Sequence, residues 1–154
     1  MSLIEKARGI IAANHYASIA TASKDGQPWN SPVLIAYDQN YNFYWTSWHG
    51  TQHSRFIAEN PRVFIVVYDS SAPLGSGECV YIQAQAAELT DPREIGLAAA
   101  LRYERKRQPA RDTQEFLGTS LRRMYKAVPE KTWITLDSEV KADITISRTE
   151  ISLI

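Results

Sequence analysis

Five polar residues between positions 46 and 53 have the types and spacing needed to bind an anion. Thr46 and Ser47 end an aromatic, β-favouring stretch, and Thr51 is the expected N-cap of a short helix that continues through Gln52 and His53. The first N–H groups of a helix have no partner within it, and the helix dipole adds positive potential there. Hydroxyl, amide and imidazole groups around such a helix start predict a phosphate-binding site.

A purely local role would also explain these residues. Ser and Thr are common at strand ends and helix caps because their hydroxyls bond nearby backbone groups. Arg55 would supply a permanent charge, but two residues along a helix turn its side chain about 200° away from that of His53. The sequence leaves open whether His53 or Arg55 provides the positive charge.

Size and composition indicate a single domain spanning residues 1–154. The chain is 44% hydrophobic and 22% charged, with a formal net charge of zero. A neutral chain has no overall field that attracts nucleic acid or an anionic membrane. Cys79 is the only cysteine, which excludes an intramolecular disulfide and a zinc site of four cysteines, and we expect no metal site. We expect a cytoplasmic protein, because neither a signal peptide nor a membrane-spanning run is evident.

The order of the predicted elements indicates a mainly β (α+β) fold, an antiparallel β-barrel with peripheral helices. The elements are a capped helix at 2–14, strands at 17–22, 29–37 and 42–48, the short helix ending at 60–61, strands at 62–68 and 78–89, a helix at 91–107, a shorter helix from 112, and strands at 122–128, 132–137 and 144–151. Strand hairpins dominate and helices do not alternate with strands, which argues against a doubly wound parallel sheet.

The strand at 29–37 contains Pro32, which has no N–H and therefore marks an edge or a bulge. Backbone groups of the segment Asn30-Ser31-Pro32-Val33 are accordingly expected to be available to something other than a neighbouring strand.

The strand at 78–89 alternates strictly, and one of its faces consists of Tyr81, Gln83, Gln85 and Ala87. This face is too polar for an ordinary core. It is expected either to face solvent or to lie at a subunit contact.

The familiar sequence motifs of nucleotide binding and hydrolysis are missing. The chain has no Gly-x-Gly-x-x-Gly or Walker-type loop, no His-Glu-x-x-His and no Gly-x-Ser-x-Gly elbow. The sequence therefore identifies no catalytic side chain.

Three segments between about Ala17 and Leu89 share a characteristic order. They read Ala-Ser-Ile-Ala-Thr-Ala with an Asp-Gly turn, then Trp-Asn-Ser-Pro-Val, then Thr-Ser…Gln-His-Ser-Arg-Phe-Ile-Ala-Glu-Asn-Pro-Arg-Val. In this order the chain resembles the pyridoxamine 5′-phosphate oxidase-like family, the FMN-binding split barrels. The closing Asn-Pro-Arg-Val is the most specific piece.

The resemblance implies a homodimer with two FMN sites, each in a cleft between subunits. The residues that would contact the cofactor are Asn30, Ser31, Pro32 and Val33 along the isoalloxazine ring, and Thr46, Ser47, Gln52 and His53 at the ribityl chain and the phosphate. The phosphate end agrees with the anion site expected from helix capping.

Two departures from the family pattern affect function. Many relatives have Lys where this chain has His53, and an imidazole is only fractionally charged at neutral pH. Phosphate binding is therefore predicted to weaken as the pH rises through the bound-state pKa of His53. The family's C-terminal Arg-x-His substrate clamp is missing from the tail, so pyridoxamine phosphate is not the expected substrate.

The expected function is an oxidoreductase that uses bound FMN for hydride or electron transfer to a small molecule, since such cofactors supply the chemistry and the protein supplies orientation. One alternative is a non-catalytic dimeric module that binds a flavin, a deazaflavin or haem, with His15, His49 and His53 as the available imidazoles. A further alternative is a dimeric scaffold without a ligand. The sequence names neither the substrate nor the electron donor.

Overall fold

The computed structural model describes residues 1–135 and 148–154. In chain order the elements are α1 (Leu3–Ala13), β1 (Tyr16–Ala22), β2 (Pro28–Leu34), β3 (Ala36–Tyr37), β4 (Phe43–Trp48), α2 (Gln52–Glu59), β5 (Arg62–Tyr68), β6 (Cys79–Glu88), α3 (Pro92–Lys106), a 3₁₀-helix (Thr113–Phe116), β7 (Arg122–Thr135) and β8 (Thr149–Ile151).

The strands form one curled antiparallel sheet. Their order is β2-β1-β5-β6-β7-β4-β3, and β8 pairs with β7. Because β3 follows directly from β2 but pairs with β4, the chain connects the two ends of the sheet and curls it around a core. The predicted antiparallel split barrel with peripheral helices is confirmed.

Capping residues fix the helix starts where the sequence predicts them. Ser2 and Glu5 form a reciprocal capping box at α1. Thr51 caps α2, and Asp91 caps α3 with Pro92 in its first turn. The helix α3 ends at Lys106, before Pro109, because Arg107 adopts a left-handed conformation (φ 54°).

Two strand predictions differ from the structure. The predicted strand at 29–37 is divided at Ile35, where the chain leaves the ladder with β1 and joins the ladder with β4. The predicted strands at 122–128 and 132–137 form the single strand β7, because a register shift opposite Gln83 and Ala84 takes Pro129 through the ladder. Of the predicted strand at 144–151, residues 149–151 form β8 and residues 144–147 lie outside the described residues. Residues 136–137 of the strand predicted at 132–137 also lie outside them.

The strand β4 separates two hydrophobic cores. Trp45 is fully buried inside the barrel, with the apolar faces of β1, β5, β6 and β7. Tyr44 points to the opposite face and packs in a smaller core with Ile95 of α3 and Met124 of β7. Successive residues of β4 therefore alternate between the barrel interior and α3.

The barrel is open between β2 and β4, and this gap is called the split below. Within the described residues β2 pairs only with β1, and β4 pairs with β3 only through Phe43 and Tyr44. Residues 30–34 of β2 and 46–48 of β4 therefore present strand edges to each other without a hydrogen-bonded ladder. Backbone groups along these edges are free to bind a ligand.

In residues 1–135 and 148–154, we find no helix with the length and the hydropathy that a membrane crossing requires.

Candidate cofactor-binding site

The start of α2 lies at the split and offers unused donors. The hydroxyl of Thr51 accepts a hydrogen bond of 3.4 Å from the backbone N–H of Ser54. Among the described residues, the backbone N–H groups of Gln52 and His53 donate to no acceptor. Two adjacent free N–H groups at the positive end of a helix are suited to hold a phosphate oxygen.

The imidazole of His53 spans the split on its inner side. Its Nδ1 lies 3.2 Å from the hydroxyl of Ser31 on β2, and its Nε2 lies 2.6 Å from the hydroxyl of Ser47 on β4. The hydroxyl of Thr51 is 3.3 Å from the same Nε2. The imidazole thus links Ser47 and Thr51 of the predicted phosphate site with Ser31, which is predicted to lie along the isoalloxazine ring.

His53 is half-buried, and this burial lowers its pKa below the ordinary value of 6.5. At neutral pH the ring is therefore mainly neutral and serves as a hydrogen-bonding link. A bound dianion would raise this pKa again, so the weakening of phosphate binding with rising pH stays a prediction. Arg55, the other candidate for the charge, is exposed and donates a bond of 2.7 Å to Gln52 Oε1.

A buried cation reaches the split from α3. Arg102 is only 7% exposed, and it donates from Nη1 to the carbonyl of Leu34 at 2.8 Å and from Nη2 to the hydroxyl of Thr46 at 3.0 Å. Burial lowers the pKa of Arg102 to about 10, so the guanidinium stays charged at neutral pH. It joins β2 to β4 on the outer side of the split, opposite His53.

Sequence reasoning missed Arg102, although the sequence contains a signal for it. Ile95, Ala98, Ala99 and Arg102 are all buried and have the spacing i, i+3, i+4, i+7, which places them on one face of α3. An arginine on an otherwise apolar helix face must find polar partners inside the protein.

Thr46 and Ser47, the two residues of β4 predicted to bind the cofactor, point to opposite faces of the strand. Ser47 points towards His53 and the barrel interior, whereas Thr46 points towards α3 and Arg102. The strand alternation forces this division. A ligand group that contacts both must therefore lie at the strand edge, in the split itself.

The residues of β2 predicted to line the isoalloxazine ring also point to opposite faces of their strand. Asn30 and Pro32 are exposed on the outer face, and the Asn30 amide oxygen accepts a bond of 2.8 Å from the Ser18 hydroxyl. Ser31 faces His53, and the side chain of Val33 is buried in the barrel core. The side chain of Val33 is therefore not available to a ligand in the split.

Sequence comparison relates this split barrel to known proteins. The profile of the pyridoxamine 5′-phosphate oxidase family matches residues 3–135. The chain belongs to that family. The match includes both edges of the split, the whole of α2 and Arg102. A comparison with curated protein sequences finds no match to this chain.

Solved structures with the same fold include proteins described in different ways. A haem-binding protein from Mycobacterium smegmatis superposes with a TM-score of 0.75 at 16% identity, covering 99% of this chain and 58% of its own. A conserved hypothetical protein from Mycobacterium tuberculosis gives 0.72 at 17%, covering 93% and 94%. An F420 reductase gives 0.60 at 20%, covering 81% and 94%. At these identities the likeness shows the fold alone. The ligand of this member of the pyridoxamine 5′-phosphate oxidase family is therefore inferred from the residues of its own site.

Proposed function

We propose that the protein is a homodimeric oxidoreductase that binds FMN in the split and transfers a hydride or electrons to or from a small molecule. The observation that supports this proposal best is the combination found at the split of a pyridoxamine 5′-phosphate oxidase family member. Open strand edges lie next to a helix start with two free N–H groups, and a buried guanidinium lies beside them.

The phosphate is proposed to bind at the start of α2. The backbone N–H groups of Gln52 and His53 and the hydroxyls of Ser47 and Thr51 would donate to its oxygens. None of these groups carries a formal charge, so they would hold the phosphate through hydrogen bonds that point at its oxygens. The fit supports a phosphorylated flavin over an unphosphorylated one.

The flavin ring is proposed to lie along the outer edge of β2. Residues 30–33 have backbone groups on this edge that no strand of the described residues uses, and Pro32 and Asn30 are exposed beside it. Bound FMN would supply the hydride or electron transfer. The chain's own part is to hold the ring edge by backbone hydrogen bonds and to exclude water from one of its faces, so no catalytic side chain is assigned.

The homodimer is proposed to form through the outer face of the sheet. Cross-strand partners share a face, so the registers place Pro32, Ser18, Val66, Tyr81 and Trp133 in one row across five strands. Their chain neighbours point into the barrel core. A second copy covering this row would also cover the edge of β2 proposed to hold the flavin ring, and would so place the cofactor between the two subunits.

Aromatic side chains strengthen this interface proposal. The Phe64 ring lies 6.2 Å from that of Trp133 and 6.3 Å from that of Tyr81. The guanidinium of Arg148 lies 3.8 Å from the centre of the Tyr81 ring. Aromatic and arginine side chains are enriched in the centres of protein interfaces. The polar face of β6 is accordingly proposed as a subunit contact rather than a solvent face.

The small-molecule substrate is proposed to differ from pyridoxamine phosphate. The described tail, residues 148–154, contains no histidine, and its only arginine is Arg148, which packs on Tyr81. An Arg-x-His clamp cannot form there.

Binding of haem or of a deazaflavin is the second candidate, because the fold is shared with a haem-binding protein and an F420 reductase. For haem, His15 and His49 are exposed imidazoles outside the hydrogen-bonded group at the split, whereas His53 lies in the split with hydroxyl groups around both of its ring nitrogens. A nitrogen engaged in this way is a poor axial ligand, which favours the flavin.

The test is the absorbance spectrum of the purified protein and of the molecule it releases on denaturation. FMN in the released fraction supports the proposal, and bleaching by NADH or NADPH with recovery in air supports turnover over passive binding. A thermal-shift series with FMN, FAD, haem and a deazaflavin identifies the preferred ligand, since a ligand that binds the native state raises its stability. Preferential stabilisation by haem, or by none of the four, would contradict the proposal.

A further inference from the structure

A β-bulge fixes the carboxylate of Glu130 on the outer face of the sheet. In the ladder between β6 and β7, residues 83–84 face residues 129–131, so Glu130 is the extra residue of the bulge. A bulge turns one side chain out of the regular alternation of its strand. Glu130 Oε2 accepts a hydrogen bond of 2.9 Å from Gln83 Nε2, and its Oε1 accepts one of 2.9 Å from Gln85 Nε2. The two glutamines therefore hold the carboxylate in one orientation.

The carboxylate of Glu130 is charged and has unused acceptor capacity. The hydrogen bonds from Gln83 and Gln85 lower the pKa of Glu130 below its ordinary value, and the charge of Arg62 lowers it further. Each carboxylate oxygen has two lone pairs, and the glutamines use one on each oxygen. The remaining lone pairs suit a guanidinium, whose parallel N–H groups match the two oxygens of a carboxylate.

The cations nearest to Glu130 in the ladders are on the same face but do not pair with it. Arg62 is the cross-strand partner of Gln85, Lys131 is that of Gln83, and both cations are exposed. Within residues 1–135 and 148–154, neither of them nor any other lysine or arginine lies within ion-pair distance of Glu130. One copy of the chain thus presents complementary charges that it does not join itself.

Two copies related by a twofold axis can join these charges. Arg62 lies on β5 and Glu130 on β7, so Gln85 of β6 lies between them. An axis passing near Gln85 would bring each arginine over the carboxylate of the other copy, and the symmetry would form the contact twice. Beside Arg62 and Gln83 the face has a depression of about 380 Å³, which leaves room for an opposing side chain.

The homodimer proposed above requires such a partner for Glu130. That dimer covers the neighbouring row of the same face, which contains Tyr81 and Trp133. A carboxylate that loses its contact with water in an interface costs free energy unless a cation compensates it. Of the two nearby cations, Arg62 has the planar fork that fits a carboxylate of fixed orientation, whereas the Lys131 ammonium does not.

We propose that Glu130 of each subunit binds the guanidinium of the partner's Arg62, so that two symmetric ion pairs make a second copy of this chain the partner of the outer face. The inference rests on the homodimer of the proposed function. The bulge and the two glutamines are the parts of one subunit that orient the carboxylate for this contact.

The first test is the dimer dissociation constant, measured by sedimentation of the full chain. Glu130→Arg and Arg62→Glu are each expected to weaken the dimer about 100-fold, tenfold for each of the two pairs lost. Glu130→Gln, which removes the charge without reversing it, is expected to give a smaller loss. Arg93→Glu is the control, because it reverses a charge at an exposed position of α3 and should leave the dimer unchanged.

The second test mixes the Glu130→Arg and Arg62→Glu proteins in equal amounts. In their heterodimer both contacts between subunits join opposite charges, whereas each single chain keeps like charges at positions 62 and 130. Affinity close to that of wild type on mixing would therefore support contacts between subunits and exclude an effect within one chain. A dimeric wild type whose variants dimerise equally well, or are not rescued by mixing, would overturn this inference alone. A monomeric wild type would refute the homodimer of the proposed function and this inference with it.

Discussion

Arg102 and Thr46 lie 56 positions apart in the chain and meet across the split, where Nη2 donates a hydrogen bond of 3.0 Å to Oγ1. The same guanidinium holds the carbonyl of Leu34, so one side chain of α3 connects β2 with β4. His53 makes the equivalent connection on the inner side. Two side chains therefore fix the width of the split before any ligand binds, which reduces the ordering cost of binding.

Replacing Arg102 by methionine should destabilise the protein. The substitution leaves the partly buried carbonyl of Leu34 without its donor, a loss of about 1–3 kcal/mol, and removal of the buried charge offsets part of it. Urea unfolding is the measurement, and Arg93→Met, at an exposed position of α3, should change the free energy of unfolding by less than about 0.5 kcal/mol. Equal stability of the two variants would show that the Arg102 contacts contribute nothing.

His53 should make stability depend on pH. Its pKa is lowered in the folded protein, so on acidification the unfolded chain takes up the proton first. The free energy of unfolding should therefore fall as the pH drops through 6.5, the ordinary pKa, and level off below the folded-state pKa. Urea unfolding between about pH 8 and pH 5 measures this slope. It should be smaller in His53→Gln, with exposed His15→Gln as the control; an unchanged slope in His53→Gln would contradict the assignment.

The contribution of the Thr51 cap to the stability of the protein should be measurable without any ligand. Thr51→Ala removes the oxygen that accepts the N–H of Ser54 and is expected to cost about 1 kcal/mol of folding free energy, whereas Thr51→Ser should restore nearly all of it. Denaturant midpoints of the three ligand-free proteins give the comparison. Similar midpoints for the alanine and serine variants would mean that the hydroxyl does not support the helix start.

The sequence predicts the elements and their order because local signals determine them. The Ser2–Glu5 capping box, the Thr51 cap and the alternation of β6 each act within a few residues. The break at Ile35 and the bulge near Pro129 were missed, since they arise where distant strands must meet to close the barrel.

The candidate site was only partly predictable for the same reason. The sequence predicts Ser47 and His53 at the phosphate and Ser31 along the isoalloxazine ring, and the structure links all three through the imidazole of His53. Arg102 was missed because its distance from the split depends on how α3 packs against β4, which no local pattern specifies. An arginine on an apolar helix face is the type of signal that would have identified it.

A charge placed in the outer row of the sheet should disrupt the proposed dimer. Val66 lies in that row between Ser18 and Tyr81, and Val66→Lys would put an unpaired cation into the interface. Sedimentation should show a dimer for wild type and a monomer with weakened FMN binding for the variant. Leu97→Lys is the control, because Leu97 is 70% exposed on α3 and should leave the dimer intact. A monomeric wild type, or a dimeric Val66→Lys, would contradict the interface.

The most direct measurement compares the dissociation constants of FMN and riboflavin, which differ only in the phosphate, by fluorescence titration of the cofactor-free protein. The two free N–H groups at the start of α2 predict that FMN binds at least about 100-fold more tightly, the effect of two charge-assisted hydrogen bonds. Equal affinity for the two flavins, or no binding of either, would contradict a phosphate-anchored flavin in the split.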